Sequence, residues 1–188
     1  MESTPEIAII VERDQLPNVN QRCYDFQDSS FWGRGFRLPT PNDVRQLAAL
    51  QNLPTGRVGV DGGREEYIIP PDEDLVWRRR PVVFQGMNLV VKWGGLVRRE
   101  EAITLHALRK YFPRMPVPEV YAWRVDEGEV FIYMEHVRGR TLSSVFEEMT
   151  FSEHAQVIQG LRSIVDDLRL LKQAEKEEFI GKSGLTFA

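Results

Sequence analysis

Lys92 and Glu101 are the two residues of this chain whose types and spacing point most directly to chemistry. Lys92 interrupts a run of β-branched and aromatic residues, Val90-Val91-Lys92-Trp93, which is the composition of a strand. Glu101 follows nine residues later in a segment where Ala102, Leu105 and Leu108 recur at helical steps. A strand ammonium steadied by a helix carboxylate is a device for holding the α- and β-phosphates of ATP. A lone lysine in such a run more commonly points to solvent and lays its stem along the sheet. The chemical reading of Lys92 therefore depends on the elements that follow.

After that helix, Val120–Val125 and Val130–Met134 are again rich in β-branched and aromatic residues. Asp126, Glu127 and Gly128 between them supply turn chemistry. The expected order is thus a lysine strand, a helix and a β-hairpin. Glu100 is the acid that could replace Glu101, but one residue turns a side chain by about 100° around a helix. Ala102, Leu105 and Leu108 mark the buried side next to Glu101.

In this order the chain resembles the aminoglycoside phosphotransferase-like, kinase-like enzymes, in particular their fungal branch. The matching words are PVVFQGMNLVVKWG, REEAITLHALRKYF, VPEVYAWR at Val117–Arg124, VFIYMEHVRGRTL and EEFIG, with FRLPTPNDVRQL upstream. They cover most of Phe36 to Gly181. The resemblance implies an α+β fold: a protein kinase-like amino-terminal lobe, made of a small antiparallel sheet with one packed helix, followed by the first helices of a helical lobe.

The resemblance also implies a nucleotide site. Lys92 and Glu101 would address the phosphates, and Gly86 would lie in the turn covering them, where a plain hairpin turn is the alternative. Met134 would stand at the back of an adenine pocket. The backbone of Glu135, His136 and Val137 would pass the base, with His136 otherwise a linker residue. The implied cofactor is ATP, weakly held. Family members go on past the Phe-Ile-Gly word into a lobe with a His-Gly-Asp type loop and a second Asp for magnesium. Here the chain stops at Ala188, and its histidines, His106, His136 and His154, are followed by Ala-Leu, Val-Arg and Ala-Gln. The expectation is the nucleotide-binding half of a small-molecule phosphotransferase. No catalytic or metal residue can be assigned, and turnover is not expected. A non-enzymatic binding module is the alternative.

Composition sets outer bounds. The 188 residues suit one domain with extensions: an arm over 1–35, a helix and loop over 36–80, the small lobe over 81–138 and the start of a helical lobe over 139–188. A net charge of −4 offers no basic face for nucleic acid. The run Arg78-Arg79-Arg80 reads as a solvated loop. A single cysteine, Cys23, excludes an intrachain disulfide framework. No signal peptide or membrane-spanning run is present in the sequence, so a cytoplasmic setting and no membrane partner are expected.

Residues Met1–Ser30 read as an arm that packs only in part, anchored by Phe31 and Trp32. Thr40-Pro41-Asn42-Asp43 reads as a helix start, with the helix running to about Leu50. A short strand is expected near Tyr67–Ile69, and Gly139 should permit the turn into a short helix at Ser143–Met149. The last helix carries Val157, Leu161, Ile164, Val165, Leu168 and Leu171 at three- and four-residue steps, with Thr150 or Ser152 as N-cap. Its apolar face is expected to meet a second copy or a protein partner, or to be covered by the arm folding back.

Overall fold

The structure, a computed structural model, describes residues 8–52 and 80–173. It is an α+β fold with a five-stranded antiparallel sheet. The chain divides into two compact units, each assembled from separated segments. One comprises residues 21–99 and 120–136; the other comprises 1–20, 100–119 and 137–188. The expected strand near Tyr67–Ile69 and the residues Arg78 and Arg79 lie outside the described residues.

The first unit is built on the sheet β2 (Cys23–Asp25), β3 (Val82–Phe84), β4 (Leu89–Gly94), β5 (Val120–Asp126) and β6 (Glu129–Glu135), in the order β2-β5-β6-β4-β3. Strand β4 lies between β3 and β6, with Val91 opposite both Val82 and Tyr133. Alternation along β4 sends Leu89, Val91 and Trp93 to one face, where all three are buried. Phe131 and Tyr133 of β6 join them, with Phe31 and Val44 packed on top.

Val44 belongs to helix α1 (Pro41–Asn52), whose start is held by reciprocal bonds. The Thr40 hydroxyl accepts from the Asp43 amide at 3.2 Å, and the Asp43 carboxylate accepts from the Thr40 amide at 2.8 Å. These bonds to Thr40 lower the Asp43 pKa below the usual carboxylate range. Arg45, two positions on from Asp43, locks α1 to the sheet. Its guanidinium donates to Asp126 at 2.6 Å and to Glu129 at 3.2 Å, and it lies 5.0 Å from the centre of the Phe131 ring. The helix that covers the sheet within this unit is therefore α1, which the sequence had suggested was part of an outlying extension.

Two turns differ from expectation. In the β5–β6 hairpin Asp126 still pairs with Glu129, so the turn proper is Glu127-Gly128, both with positive φ. That is the backbone of a two-residue primed turn. Between β3 and β4 the chain makes a 3-10 turn over Gln85–Met87 in place of a two-residue hairpin turn, and the left-handed residue is Asn88 at φ 50.

The arm is also more committed than its composition suggests. Strand β2 adds to β5 with Tyr24 opposite Trp123, and their rings stack at 4.8 Å. Phe26 and Phe31 are buried, while Trp32 is only partly so. Short polar-flanked strands of three residues leave little hydrophobic periodicity to read.

The second unit contains a parallel pair, β1 (Ile9–Val11) with β7 (Leu171–Gln173), and helices α2 (Arg99–Tyr111), α3 (Leu142–Val145) and α4 (Phe151–Leu170). Gln15 ties the arm to α2, accepting from the Lys110 ammonium through its carbonyl at 3.3 Å and from the Tyr111 hydroxyl through its side chain. The short helix expected over Ser143–Met149 is one turn, α3, then a 3-10 turn over Phe146–Glu148. Gly139 has φ 138, as a sharp entry into α3 requires. Thr150 is the N-cap of α4 in a full capping box with Glu153.

Candidate functional site

Lys92 occupies the fourth position of β4, directly opposite Ile132 of β6. The pleat places it on the face of the sheet opposite Leu89, Val91 and Trp93, and its side chain is half-buried. Val90 faces Met134 in the same ladder, so Lys92 and Met134 are diagonal neighbours on one face. Met134 is buried, at 8 % exposure. Behind them on the same face Trp123 is fully buried, with its Nε1 donating to the Gln21 carbonyl at 3.0 Å. Trp93, on the other face, donates to the Arg80 carbonyl at 3.1 Å. Both tryptophans are core residues.

Gly86 lies in the exposed turn that leads into β4. Its φ is unexceptional, and a Cβ there would meet nothing within 4 Å. The backbone does not need glycine at this position, so any demand for it comes from outside the fold. Glu135 sits opposite Leu89 at the end of β6 and is half-buried. The amide of the next residue, His136, donates to the Asn88 carbonyl at 3.1 Å and prolongs the β4–β6 ladder. That amide was among the groups expected to meet a base; the ladder has taken it.

Gly86, Lys92, Met134, Glu135 and His136 thus come together along the β4–β6 pair of one unit. Glu101 and Val137 belong to the other. Glu101 is half-buried in the first turn of α2, where a carboxylate suits the helix dipole. Val137 is 68 % exposed.

Two residues that organise this region escaped the sequence reading. Asn88 supplies both the left-handed corner before β4 and the acceptor for His136. Its signal was present, since asparagine is one of the few residues that tolerate that conformation. Arg45 had no local signal, because its partners Asp126 and Glu129 lie more than 80 positions away.

Among the described residues no group of three or more His, Cys, Asp or Glu is placed to hold a metal ion. No helix among them is long and apolar enough to cross a membrane. No protein-family model, curated protein or solved structure matches this chain.

Proposed function

We propose that this chain binds ATP through a kinase-like small lobe, as part of a small-molecule phosphotransferase-like protein. The observation that carries this reading is the path of the chain around Lys92. The lysine strand is followed by one helix and two strands, and the second of these, β6, returns to pair with the lysine strand itself. The segment leaving β6 is then tied to Asn88, the residue just before the lysine strand. Lys92 and the start of the segment leaving β6 both belong to the β4–β6 pair, the first offering a cation for a phosphate chain and the second backbone groups for a base.

In this reading Lys92 meets the α- and β-phosphates, the turn at Gly86 covers them, and Met134 backs the adenine. Glu135 carries the backbone part, with the His136 amide excluded because it pairs with Asn88. Glu101 keeps its assignment on the resemblance alone. The reading concerns binding, since no residue of the chain stands in a His-x-Asp context and none is assigned to magnesium.

Titration calorimetry of the full chain with magnesium and ATP is the test. Expected is saturable but weak binding, with a dissociation constant above ~100 μM, equivalent to less than about 5.5 kcal/mol. Lys92→Ala should abolish it. Gly86→Ala should weaken it with no change in folding stability, because the fold has room for the methyl group. Binding untouched by Lys92→Ala, or no binding at millimolar ATP, would sink the proposal. A second reading, a binding module that docks a partner through α4, draws on the exposed apolar side chains of that helix.

A further inference from the structure

Helix α4 runs for 20 residues without a single buried side chain. An isolated helix of that length is marginal in water, and helices in proteins owe most of their stability to packing of an apolar face. The face in question is not quite the one its sequence suggests. Val157 and Ile164 are half-buried. The side chains left open are Phe151 at 90 %, Ile158 and Leu161 at 52 %, Val165 at 45 % and Leu168 at 41 %.

These five follow one another at steps of seven, three, four and three residues, the spacing of the a and d positions of a heptad. Phe151, Ile158 and Val165 take the a positions, and Leu161 and Leu168 take d. At 3.6 residues per turn they share an arc of roughly 100°. The d position of the first heptad is His154, whose Nε2 lies 2.9 Å from the Phe146 carbonyl and whose ring packs on that of Phe146.

We propose that α4 pairs with α4 of a second copy of this chain, as a parallel, in-register two-stranded coiled coil through this seam. Side-chain shape points to two strands, because β-branched residues at a with leucine at d favour the parallel dimer. Charge sets the direction. The e positions are Ala155, Arg162 and Arg169, and the g positions within the helix are Val157 and Ile164. Parallel pairing sets each arginine stem beside an aliphatic g residue of the second copy, which it can cover. Antiparallel pairing sets e against e and brings the arginines of the two copies together.

The area is also of the right order. The five side chains expose on the order of 500 Å² of apolar surface at ordinary side-chain sizes, and the flanking arginine stems bring the face toward the ~800 Å² per partner of a stable interface. The pairing is independent of nucleotide binding and uses none of the residues assigned to it.

Sedimentation velocity of the full chain between about 1 and 100 μM should show a monomer–dimer equilibrium. The double variant Leu161→Glu, Val165→Glu should raise the dimer dissociation constant at least ~100-fold. Its far-UV spectrum at low concentration should be unchanged, because both positions are already exposed. Direction is read from Cys23→Ser, Leu168→Cys, which leaves one cysteine at a d position. In a parallel, in-register pair the two copies of residue 168 face each other within disulfide reach, so mild oxidation should link the dimer covalently. A chain that stays monomeric at 100 μM, or a dimer indifferent to the two glutamates, overturns the pairing. A dimer that does not cross-link through position 168 overturns the parallel register.

Discussion

The amide of His136 donates to the carbonyl of Asn88 at 3.1 Å, so the corner that opens β4 and the segment that leaves β6 are joined by one hydrogen bond. Asn88 makes this possible by holding φ at 50 and ψ at 44, a conformation that a β-branched side chain resists. Asn88→Val should therefore destabilise the protein by about 1–3 kcal/mol, and Asn88→Gly should be close to neutral. Urea unfolding of the two variants checks this. Equal stability of valine and glycine at this position would mean that the corner is not held in the left-handed conformation.

Arg45 joins α1 to the far hairpin through Asp126, Glu127 and Glu129, and its side chain is 23 % exposed. Removing it strands Glu129, 18 % exposed, without this cation. Arg45→Met keeps the aliphatic stem on Phe131 and should cost about 1–3 kcal/mol. Arg45→Lys should recover only part of the loss, since a point charge cannot donate to two carboxylates in a planar fork.

How much of this was legible in the sequence follows from the range of the interactions. The α1 cap, the β5–β6 strands and the Thr150 cap of α4 are written in residues a few positions apart, and each formed where its local chemistry placed it. Lys92 was legible as a strand residue because its neighbours are β-branched and aromatic. Which face it occupies followed from alternation. The part played by the arm was not legible, because β2 gains its stability from pairing with β5 about a hundred residues away. The covering of the sheet by α1 was hidden for the same reason: Arg45 has no acid partner within its own segment. The left-handed corner at Asn88 was not read in advance, although asparagine is one of the few residues that tolerate it.

Tyr133 is fully buried against the α1 side of the sheet, and its hydroxyl has no hydrogen-bond partner among the described residues. Burial pushes its pKa well above the ordinary 10.0. A phenol whose folded pKa is raised contributes stability that is fully present below pH 10.0. That contribution fades as the pH rises toward the folded value, because only the unfolded chain then ionises. Tyr133→Phe should stabilise the protein by about 1 kcal/mol at neutral pH. It should also flatten the loss of stability above pH 10. A clear destabilisation in the phenylalanine variant would show that the hydroxyl does have a partner.

Glu153 answers the Thr150 amide at 2.7 Å, and this bond, with that from the Thr150 hydroxyl, lowers the Glu153 pKa. The stabilisation is therefore present above the ordinary carboxylate value of 4.5 and is lost as pH falls below it through the folded pKa. Helicity followed by circular dichroism should decline over that interval in the parent. Glu153→Gln should start slightly lower and show a shallower decline there. Equal slopes in the two proteins would mean that the capping box does not govern the start of α4.

The pairing of Ile9 with Leu171 sets an order of events during synthesis. Strand β1 is made before its partner, which follows about 160 residues later. At 5–20 residues per second that interval is about ten to thirty seconds. The five-stranded sheet has all its described strands by Glu135 and can close sooner. Through that wait Ile9, Ile10 and Val11 form an apolar strand without its native neighbour, in the class of segment that binds chaperones or other nascent chains. A pair this distant in the chain is also expected to form last on refolding, because the longest loop must be closed for the smallest return in contacts.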